Sequence, residues 1–410
     1  MSTTYAVIGA NWGDEGKGLA VDAIASQLLQ RGKKATVVRA NGGAQAGHSV
    51  VCRTYGRHVF HHVGAGAFAG AGTHLSQFFV AHPMMLHREL AQLAASGLNA
   101  PSISIDARAL VTTPWDMAIN QALELARDAG RHGSTGLGFG ETIERSERGP
   151  VLTAEDLWSD ELAHKVETIV GEWMPQRLME LGITADGSAL GKVLSGAPAV
   201  IEAFCIDCQR FRSSVRLMQD ADLSDADAII FEGAQGLQLD MKWGVMPHVT
   251  RSRTGLANIA AVAREAGIFT IEAFYMTRAY ATRHGAGPLL HESKAGKEMP
   301  WLALRDETNI PNPWQGSLRT APLDLSLMRK VIGQDLAEQA DSSVKVNAYV
   351  GVTCLDQISD MAHCIFDESV QKIKPANLAD LLQDHLGLPV ALRSWGPSRA
   401  DAQFHQRAAA

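Results

Sequence analysis

The sequence predicts an α/β protein built on one large, mostly parallel β-sheet with helices on both faces. Short apolar runs typical of buried strands alternate with segments of helical apolar spacing along the 410 residues. Because parallel strands need a crossover between them, usually a helix, this order favours a parallel sheet covered on both sides. No internal repeat or low-complexity linker divides the chain, so we expect a single large domain over residues 1–410, with loop excursions.

The first three predicted elements set the pattern. Thr4–Gly9 is a short buried strand, Leu19–Arg31 has the apolar spacing of a helix, and Ala35–Val38 is a second strand. Further strands are predicted at Ala228–Phe231, Thr270–Ala273 and Asn347–Thr353, and further helices at Met117–Ala129, Glu161–Trp173, Ala199–Arg212, Leu256–Ala266, Leu323–Leu336 and Pro375–His385. We expect Pro175 to end or kink the helix before it. The Pro- and Gly-rich segment 298–322 is the longest predicted loop, and loops of that length are usually functional or mobile.

Composition narrows the functional class. The formal net charge is −7, from 37 basic and 44 acidic residues, which argues against binding of nucleic acid through a basic face. No apolar run approaches the roughly 20 residues that cross a bilayer, and no export signal precedes the first strand. Five scattered cysteines suit a reducing compartment. We therefore expect a cytoplasmic enzyme that acts on small molecules, with neither nucleic acid nor membrane as a partner.

The strongest functional signal is Gly9–Gly18 (GANWGDEGKG), which follows the first strand and opens the first helix. Its glycines let a ligand approach the backbone, and a helix N-terminus favours a phosphate. Lys17 is placed to reach a terminal phosphate. The segment differs from the standard GxxxxGK[ST] loop, because Asn11 and Gly18 occupy the glycine and Ser/Thr positions.

Two acids inside this loop, Asp14 and Glu15, need an explanation, because their charge would repel a bound phosphate. A carboxylate there is favourable if it binds Mg²⁺ together with phosphate oxygens, or if it removes a proton from a substrate. The simpler alternative is that both acids merely suit the first turn of a helix.

A second glycine-rich segment, Asn41–His48 (NGGAQAGH), follows the second predicted strand and ends in an imidazole. Open α/β sheets bind ligands in the crevice at the carboxyl ends of their strands. If the two strands are neighbours, the two loops form one crevice, and His48 becomes a functional candidate.

These two loops resemble the adenylosuccinate synthetase family, whose usual wording is WGDEGKG and GGxNAGHT. The similarity continues in order over nearly the whole chain, through Gly133–Gly138 (GSTGLG, like GTTGRG), Phe231–Asp240 (FEGAQGLQLD), Pro247–Thr250 (PHVT, like PYVT), Ala279–Pro288 (AYATRHGAGP, like AYSTRVGAGP) and Ser394–Arg399 (SWGPSR, like STGPDR). The resemblance implies a P-loop-NTPase-like fold. It also implies a ligase that couples inosine monophosphate (IMP) to aspartate, with GTP hydrolysed and Mg²⁺ required.

The resemblance assigns the chemistry to Asp14, Lys17 and His48. Asp14 would take the purine N1 proton, and His48 would assist transfer of the γ-phosphoryl group to O6, which the aspartate amine then displaces. The implied Mg²⁺ ligands are Asp14 and the Gly47 carbonyl. The implied triphosphate-binding residues are Gly13, Glu15, Gly16, Lys17, Gly18, Gly47, His48, Ser49, Asp356, Ser394 and Gly396, and the implied purine-monophosphate residues are Asp14, Gln45, Thr135, Gln235 and Thr250.

The family also takes an arginine from the partner subunit of a homodimer, in a segment like ARRGLRV. The corresponding segment here is Glu144–Val151 (ERSERGPV), in which Arg148 is the candidate for purine-monophosphate binding and Arg145 is a rival. A homodimer is therefore implied.

Two segments depart from the family pattern. Where the family's amino-acid loop reads TTGRRRRTGWLD, Pro313–Asp324 (PWQGSLRTAPLD) keeps Gly316 and Arg319 as candidate amino-acid ligands but loses most arginines, which are the usual bidentate partners of carboxylates. The guanine-reading TKLD appears as Thr353–Asp356 (TCLD), with Cys354 in place of a lysine. Segment 298–322 is expected to be the mobile amino-acid-binding region.

Several alternatives stay open at this point. The same chemistry on GMP or dGMP, with ATP as donor, or with another amino acid would suit the altered loops. The nearest alternative is the phage-type 2-aminoadenylosuccinate synthetase branch of this superfamily, which acts on deoxyguanylate and can use adenine nucleotides but generally lacks the loop aspartate that Asp14 supplies here. A nucleotide-hydrolysing switch would use the same first loop but has no need of a second purine site, and a non-catalytic nucleotide binder would have no need of Asp14, Lys17 and His48.

Overall fold

The computed structural model describes residues 3–127, 130, 133–292, 299–304, 309 and 316–405. In these ranges the strands are β1 (Thr3–Gly9), β2 (Ala35–Arg39), β3 (His48–Cys52), β4 (Gly56–Phe60), β5 (Gly72–Leu75), β6 (Val80–Ala81), β7 (Ile103–Ile105), β8 (Leu110–Val111), β9 (Arg216–Leu217), β10 (Ala228–Glu232), β11 (Thr270–Arg278), β12 (Ala281–Arg283), β13 (Arg319–Ala321), β14 (Leu323–Asp324), β15 (Lys345–Thr353), β16 (Ala362–Phe366), β17 (Ser369–Ile373), β18 (Val390–Ser394) and β19 (Ala402–Phe404). The α-helices are α1 (Lys17–Gln30), α2 (Pro83–Ala95), α3 (Pro114–Ala126), α4 (Phe139–Arg148), α5 (Leu162–Thr168), α6 (Met174–Leu181), α7 (Ala189–Leu194), α8 (Pro198–Ser214), α9 (Leu256–Glu265), α10 (Leu325–Glu338) and α11 (Leu378–Leu386).

Ten strands form the central sheet, in the order β19-β18-β15-β11-β1-β10-β2-β5-β7-β9. Every neighbouring pair is parallel except β18 and β19. β1 lies at the centre, between β10 and β11, so the first glycine-rich loop leaves the middle of the sheet. The predicted α/β class with a large, mostly parallel sheet is confirmed.

The apolar residues of the strands alternate between two cores, one on each face of the sheet. Val7 of β1 packs in a core with Ile24 and Leu28 of α1, whereas its neighbours Ala6 and Ile8 pack in the second core, with helices α9, α10 and α11. Because successive side chains of a strand point to opposite faces, a strand buried on both faces is apolar throughout. This explains why β1 reads as a continuous apolar run.

The first two predicted strands are not neighbours, because β10 lies between β1 and β2. The pairing of Phe231 with Ala6 on one side and Val38 on the other fills the space between them. β10 is almost 190 residues further along the chain, so no local pattern indicates this insertion. Its consequence is that a third loop, which starts at Gly233, joins the two predicted ones.

Other predicted bounds shift for local reasons. The helix predicted at 161–173 continues further than expected. α5 passes into a π-helical turn, Ile169–Trp173, and the chain then stays helical through Pro175 to Leu181. Proline is tolerated there because it lies in the first turn of α6. Leu323 and Asp324 belong to β14 and not to the helix, since Leu323 pairs with Cys364, and the Asp324 side chain caps α10 by accepting a hydrogen bond from the Leu327 amide.

Part of the predicted loop 298–322 is described, namely 299–304, 309 and 316–322. Within it, Arg319–Ala321 forms β13 and pairs with β12. Residues 298, 305–308 and 310–315 of this predicted loop lie outside the described residues, as does Ala129, the predicted end of α3. In the described ranges, none of the helices combines the length and apolar character needed to cross a membrane.

Candidate active site

The first glycine-rich loop runs from the end of β1 to the start of α1, beside the end of β10. Its backbone takes left-handed angles at Gly13 (φ 109°), Asp14 (φ 62°) and Gly16 (φ 82°). A Cβ on Gly9 would clash with the Glu15 carboxylate and lie 2.6 Å from the carbonyl oxygen of Gln235. The loop therefore folds tightly back on the chain that follows β10, and glycine at position 9 is required by space.

The buried Glu15 side chain stabilises the conformation of this loop. Its Oε1 accepts hydrogen bonds from the backbone amides of Gly13 (2.7 Å) and Asn11 (3.1 Å), and its Oε2 lies 2.7 Å from Nζ of Lys17. The Glu15 and Lys17 side chains are both almost fully buried. The charges of these two residues thus compensate each other inside the loop.

Asp14 is in a different environment. Its side chain is 28% exposed, and its carboxylate accepts no hydrogen bond from any side chain or amide that the structure describes. The backbone around it is fixed instead: Arg278 Nε donates to the Asp14 carbonyl, and Thr282 Oγ1 donates to the Gly13 carbonyl (3.3 Å). The loop therefore presents one uncommitted carboxylate, which faces His284, with Nε2 3.7 Å from Oδ2.

His48 opens β3 and lies against two charged residues from neighbouring strand ends, of which Glu232 is its hydrogen-bond partner. Its Nδ1 lies 2.5 Å from Oε1 of Glu232 at the end of β10, and 2.9 Å from Nη1 of Arg39 at the end of β2. All three side chains are buried. Because Glu232 is a carboxylate, Nδ1 carries the hydrogen and donates it, while the buried Nε2 has no hydrogen-bond partner among the described residues.

The electrostatics of this pair keep Glu232 ionised and His48 neutral. The charges of His48 and Arg39 and the hydrogen bonds that Glu232 accepts outweigh its burial and lower its pKa to about 2. Burial lowers the pKa of His48 to about 4, against the opposite effect of Glu232. At neutral pH, His48 therefore offers a lone pair on Nε2, oriented by its bond to Glu232.

Two carboxamides, those of Gln45 and Gln235, lie close to Gly42. A Cβ on Gly42 would be 3.5 Å from Oε1 of Gln235 and 3.7 Å from Nε2 of Gln45. Both polar atoms of the Gln45 amide, and Oε1 of Gln235, are buried without a hydrogen-bond partner in the described part of the chain. Buried amides are normally paired, so this pair indicates a site for a ligand with hydrogen-bonding edges.

Close backbone contacts join the loops into one crevice. Asn41 exchanges two hydrogen bonds with Ala234, at 2.8 and 3.1 Å. A Cβ on Gly18 would be 2.7 Å from the Ser49 carbonyl oxygen, and one on Gly16 would be 2.7 Å from the Thr353 side chain. The predicted residues Gly13–Gly18, Gln45, His48, Ser49 and Gln235 are thus brought together, as the sequence analysis expected.

The loop that contains Thr135 reaches the same region through a glycine contact: a Cβ on Gly133 would lie 2.9 Å from Cα of Gly285, one residue after His284. Thr250 follows the β10 loop, and its amide donates to the Leu239 carbonyl (2.8 Å). The structure therefore arranges Thr135 and Thr250 on loops that border the crevice.

The two candidate arginines for the partner subunit differ in their surroundings. Arg145 is fully buried and forms a bidentate pair with Asp116 (2.9 Å for each bond). Arg148 lies on the outer face of α4, with a side chain 45% exposed, and pairs with Glu144 and Glu180. Only Arg148 is accessible to another molecule, so Arg145 is no longer a rival.

The predicted triphosphate-binding residues Asp356, Ser394 and Gly396 lie at or just after the ends of β15 and β18. Val352 pairs with Arg393, which sets the end of β15 beside Ser394. The Ser394 hydroxyl donates to the Gly396 carbonyl (2.7 Å), and Asp356 is exposed in a 3-10 turn. Nε of Arg399, in the same segment, lies 3.1 Å from Oδ2 of the buried Asp22, which ties the segment to α1.

The amino-acid candidates are further along the rim. Arg319 pairs with Glu292 (2.8 Å) and donates to the carbonyls of Gly285 and Gly287 (2.9 and 2.8 Å). Gly316 takes a left-handed φ of 71° in open space. Arg319 is thus engaged by the protein itself in this state.

The residues present fit a magnesium ion. Asp14 supplies a carboxylate that no described donor occupies and Gly47 a carbonyl, which are hard oxygen ligands of the kind that Mg²⁺ takes together with phosphate oxygens. No group of three or more His, Cys, Asp or Glu side chains suited to a metal occurs among the residues whose placement is described. A site completed by substrate phosphates suits this set.

Three residues of this site are not among the sequence predictions: Arg39, Glu232 and His284. Arg39 and Glu232 each end a strand that was predicted, and they precede the two loops by one or two residues. A charged residue at the carboxyl end of an otherwise apolar strand is the signal that indicates them, since that edge of a sheet holds ligands. His284 lies inside a matched motif, where it replaces an apolar residue.

A glycine loop at the centre of a parallel sheet, beside an imidazole held by a buried carboxylate and a pair of unpaired amides, defines a nucleotide-binding α/β protein. Within that class, the chain belongs to the adenylosuccinate synthetase family, because the model of that family matches residues 6–308. The family resemblance drawn from the motifs is confirmed.

The curated relatives agree with this assignment. The adenylosuccinate synthetase of Mycobacterium marinum is 31% identical over 288 residues, which cover 69% of this chain and 63% of the relative. That of Thermosynechococcus vestitus is 33% identical over 298 residues, which cover 69% and 61%. The chain thus spans little more than three fifths of the length of these relatives.

Two solved structures share the fold. The fully ligated adenylosuccinate synthetase from Plasmodium falciparum has a TM-score of 0.74 at 17% identity, over 99% of this chain and 100% of that one. The succinoaminodeoxyadenylate synthetase (PurZ) of cyanophage S-2L, bound to dGMP and dATP, has a TM-score of 0.62 at 16% identity, over 100% and 97%. At these identities the likeness concerns the fold.

Proposed function

We propose that this protein is a C–N ligase that joins the amino group of L-aspartate to C6 of IMP, with GTP hydrolysed to GDP and phosphate. The observation that carries the proposal is a cluster of buried polar atoms without described partners on Gln45, His48 and Gln235, beside the uncommitted carboxylate of Asp14. A purine monophosphate would supply the missing partners. Family membership supports the same reaction.

Asp14 would act as the base that removes the N1 proton of the purine. Loss of that proton places negative charge on O6, which can then attack the γ-phosphorus of GTP. Because Glu15 already compensates the charge of Lys17 and binds two loop amides, Asp14 is the acid of this loop that is left for chemistry. The aspartate amine then displaces phosphate at C6.

His48 would assist the phosphoryl transfer through Nε2. Its orientation is fixed by Glu232, and bound phosphates would favour the imidazolium, because a nearby negative charge stabilises the protonated form. The imidazolium can donate a hydrogen bond to the phosphoryl oxygens as charge develops on them. Transfers of this kind depend mainly on positioning and charge compensation.

The remaining assignments extend the same proposal. Asp14 and the Gly47 carbonyl would hold Mg²⁺, which would neutralise charge on the phosphates when bound. The triphosphate would lie on Gly13–Gly18, with Ser49, Ser394 and Gly396 around it and Asp356 reading guanine. Thr135 and Thr250 would bind the purine monophosphate, with Arg148 contributed by the partner subunit of a cytoplasmic homodimer.

Aspartate would be bound by Arg319 near Gly316. Its guanidinium would have to release Glu292 or a backbone carbonyl to accept a substrate carboxylate. This exchange makes the amino-acid subsite the part of the proposal that most needs a direct assay.

A substrate matrix tests the proposal. IMP, GMP and dGMP are each combined with aspartate or another amino acid and with GTP or ATP, and released phosphate and the purine product are both measured. We expect phosphate release only with IMP, aspartate and GTP together. Equal release without a purine monophosphate would favour a nucleotide-hydrolysing switch instead.

A single substitution then tests the base. Asp14→Asn should lower kcat about 10²–10⁴-fold, the usual contribution of a general acid–base group. Activity within about threefold of the natural protein would remove Asp14 from the mechanism.

A further inference from the structure

His284 is the described side chain that lies against the Asp14 carboxylate. Its Nε2 is 3.7 Å from Oδ2 of Asp14, and the imidazole is only 15% exposed. Its Nδ1 is buried and has no hydrogen-bond partner in the described ranges. We propose that His284 is a positioning residue, whose Nε2–H holds the Asp14 carboxylate toward the purine ring. The inference rests on the proposed function, in which that carboxylate takes the N1 proton.

The Asp14 carboxylate needs such a partner, because the contacts of the loop fix the backbone at this residue but not its side chain. Arg278 holds the carbonyl of Asp14, and Thr282 holds that of Gly13. Neither bond constrains the rotation of the carboxylate, which accepts no hydrogen bond from the described residues. The cation nearest in sequence, Lys17, is paired with Glu15. His284 is therefore the group that can orient this base.

The distance of 3.7 Å is about 0.8 Å longer than a typical N–H···O hydrogen bond. Hydrogen bonds of catalytic groups are often long in an empty site and shorten when substrate binds. His284 is well placed for this, because it directly follows strand β12, which Thr282 ties to the first glycine-rich loop. The close contact of Gly285 with Gly133 limits the turn that follows. A small rotation of the Asp14 side chain closes the gap.

The site thus contains two carboxylate–imidazole pairs with opposite roles. In the pair of Glu232 and His48, the carboxylate is buried and directs the imidazole at the substrate. In the pair of Asp14 and His284, the imidazole is the more buried member and directs the carboxylate. With Oδ2 held by His284, the rotation of the carboxylate is fixed, and with it the direction in which Oδ1 is presented.

Three substitutions test which nitrogen matters. The amide nitrogen of glutamine reaches the position of Nε2, that of asparagine the position of Nδ1, and leucine supplies neither. We expect His284→Leu and His284→Asn to lower kcat about 10–100-fold, as removal of an orienting partner does, and His284→Gln to stay within about fivefold of the natural protein. KM for IMP should change less than about threefold, because the groups that bind the nucleotide are untouched.

Calorimetric titration with IMP alone adds a readout that needs no turnover. An unchanged Kd in His284→Leu, with an unchanged melting temperature, agrees with a positioning role. A Kd raised tenfold or more would make His284 a substrate contact and overturn the proposal.

A double-mutant cycle completes the test. If His284 acts through Asp14, the leucine substitution should change kcat less than about twofold when Asp14 is already Asn. An equal loss in both backgrounds contradicts the proposal, and so does a leucine variant with the natural kcat. If the natural protein forms no product in the substrate matrix, the proposed ligase itself fails, which is a distinct result.

Discussion

Replacing Glu232 with glutamine should impair both stability and catalysis, for reasons that the geometry makes explicit. Oε1 of Glu232 lies 2.5 Å from His48 Nδ1, while Oε2 accepts a hydrogen bond from the Ala65 amide (3.1 Å) and lies 3.4 Å from Arg39 Nη1. The amide oxygen of glutamine must take the Oε2 position, because two donors face it there. The amide nitrogen then faces Nδ1 and forces the hydrogen of the neutral imidazole onto Nε2.

The expected size of each effect follows from this geometry. In serine proteases, a comparable exchange of aspartate for asparagine next to the catalytic histidine lowers kcat about 10⁴-fold, because the wrong tautomer forms. We therefore expect Glu232→Gln to lose about 10²–10⁴-fold in kcat. Removal of one member of a buried ion pair typically costs about 3–5 kcal/mol in the free energy of unfolding, since Arg39 stays charged.

Product formation at saturating substrate and urea unfolding measure the two effects separately. Glu265→Gln is the matched control: Glu265 pairs with Arg108 at 2.7 Å, but both side chains are more than a third exposed. It should cost less than about 1 kcal/mol and leave kcat unchanged. A Glu232→Gln enzyme that keeps kcat within threefold of the natural protein would refute the tautomer argument.

Three further predictions concern the loop, the first helix and the subunit interface. Gly9→Ala should destabilise the fold by at least about 1–3 kcal/mol in urea unfolding, because its Cβ meets the Glu15 carboxylate; Gly333→Ala, in open space within a helix, should instead stabilise it by about 0.5–1 kcal/mol. Burial raises the pKa of Asp22 from 3.8 to about 7. The contribution of its protonated form to the free energy of unfolding is therefore fully present below pH 4 and is lost as the pH rises to 7, about 4 kcal/mol in all. Melting temperatures at pH 5 and pH 8 should therefore differ less in Asp22→Asn than in the natural protein. If Arg148 acts across a dimer interface, mixing inactive Arg148→Ala and Asp14→Asn subunits should restore up to about a quarter of the activity, whereas no recovery after subunit exchange would place Arg148 in its own subunit's site or outside the mechanism.

The elements of the fold were predictable where local pattern and burial agree. β1, β2 and β10 are apolar on both faces, so their runs of β-branched and aliphatic residues identify them within one or two residues. Short strands such as β5 (Gly72–Leu75), which has polar Thr73 and His74 in its centre, carry no such signal. They form because the sheet supplies partners on both sides, and this is a tertiary effect.

The order of the strands could not be predicted from the sequence pattern, for a related reason. β10 pairs with both β1 and β2, yet nothing near residue 228 indicates which strands it joins. The loops with Asp14 and His48 do lie in one crevice. Because the position of β10 was not predicted, however, the Glu232 carboxylate that orients His48 was not among the candidates. Glu232 directly precedes the β10 loop, and it is 184 residues from His48, whose imidazole it binds.

The two adjacent acids of the first loop illustrate what geometry adds. By residue type alone, without the family resemblance, Asp14 and Glu15 are equivalent candidates to bind a metal, to remove a proton or to suit a helix turn. The backbone distinguishes the two acids. Asp14 has a left-handed φ, and its side chain points away from the loop interior. The Glu15 carboxylate lies in that interior and accepts hydrogen bonds from two backbone amides and from the Lys17 ammonium. Because Glu15 already compensates Lys17, the triphosphate of the proposed reaction would meet a loop with no uncompensated buried anion. Its phosphates could approach the loop amides while the Asp14 carboxylate stays within a few ångströms, which is what the proposed proton removal next to phosphoryl transfer requires.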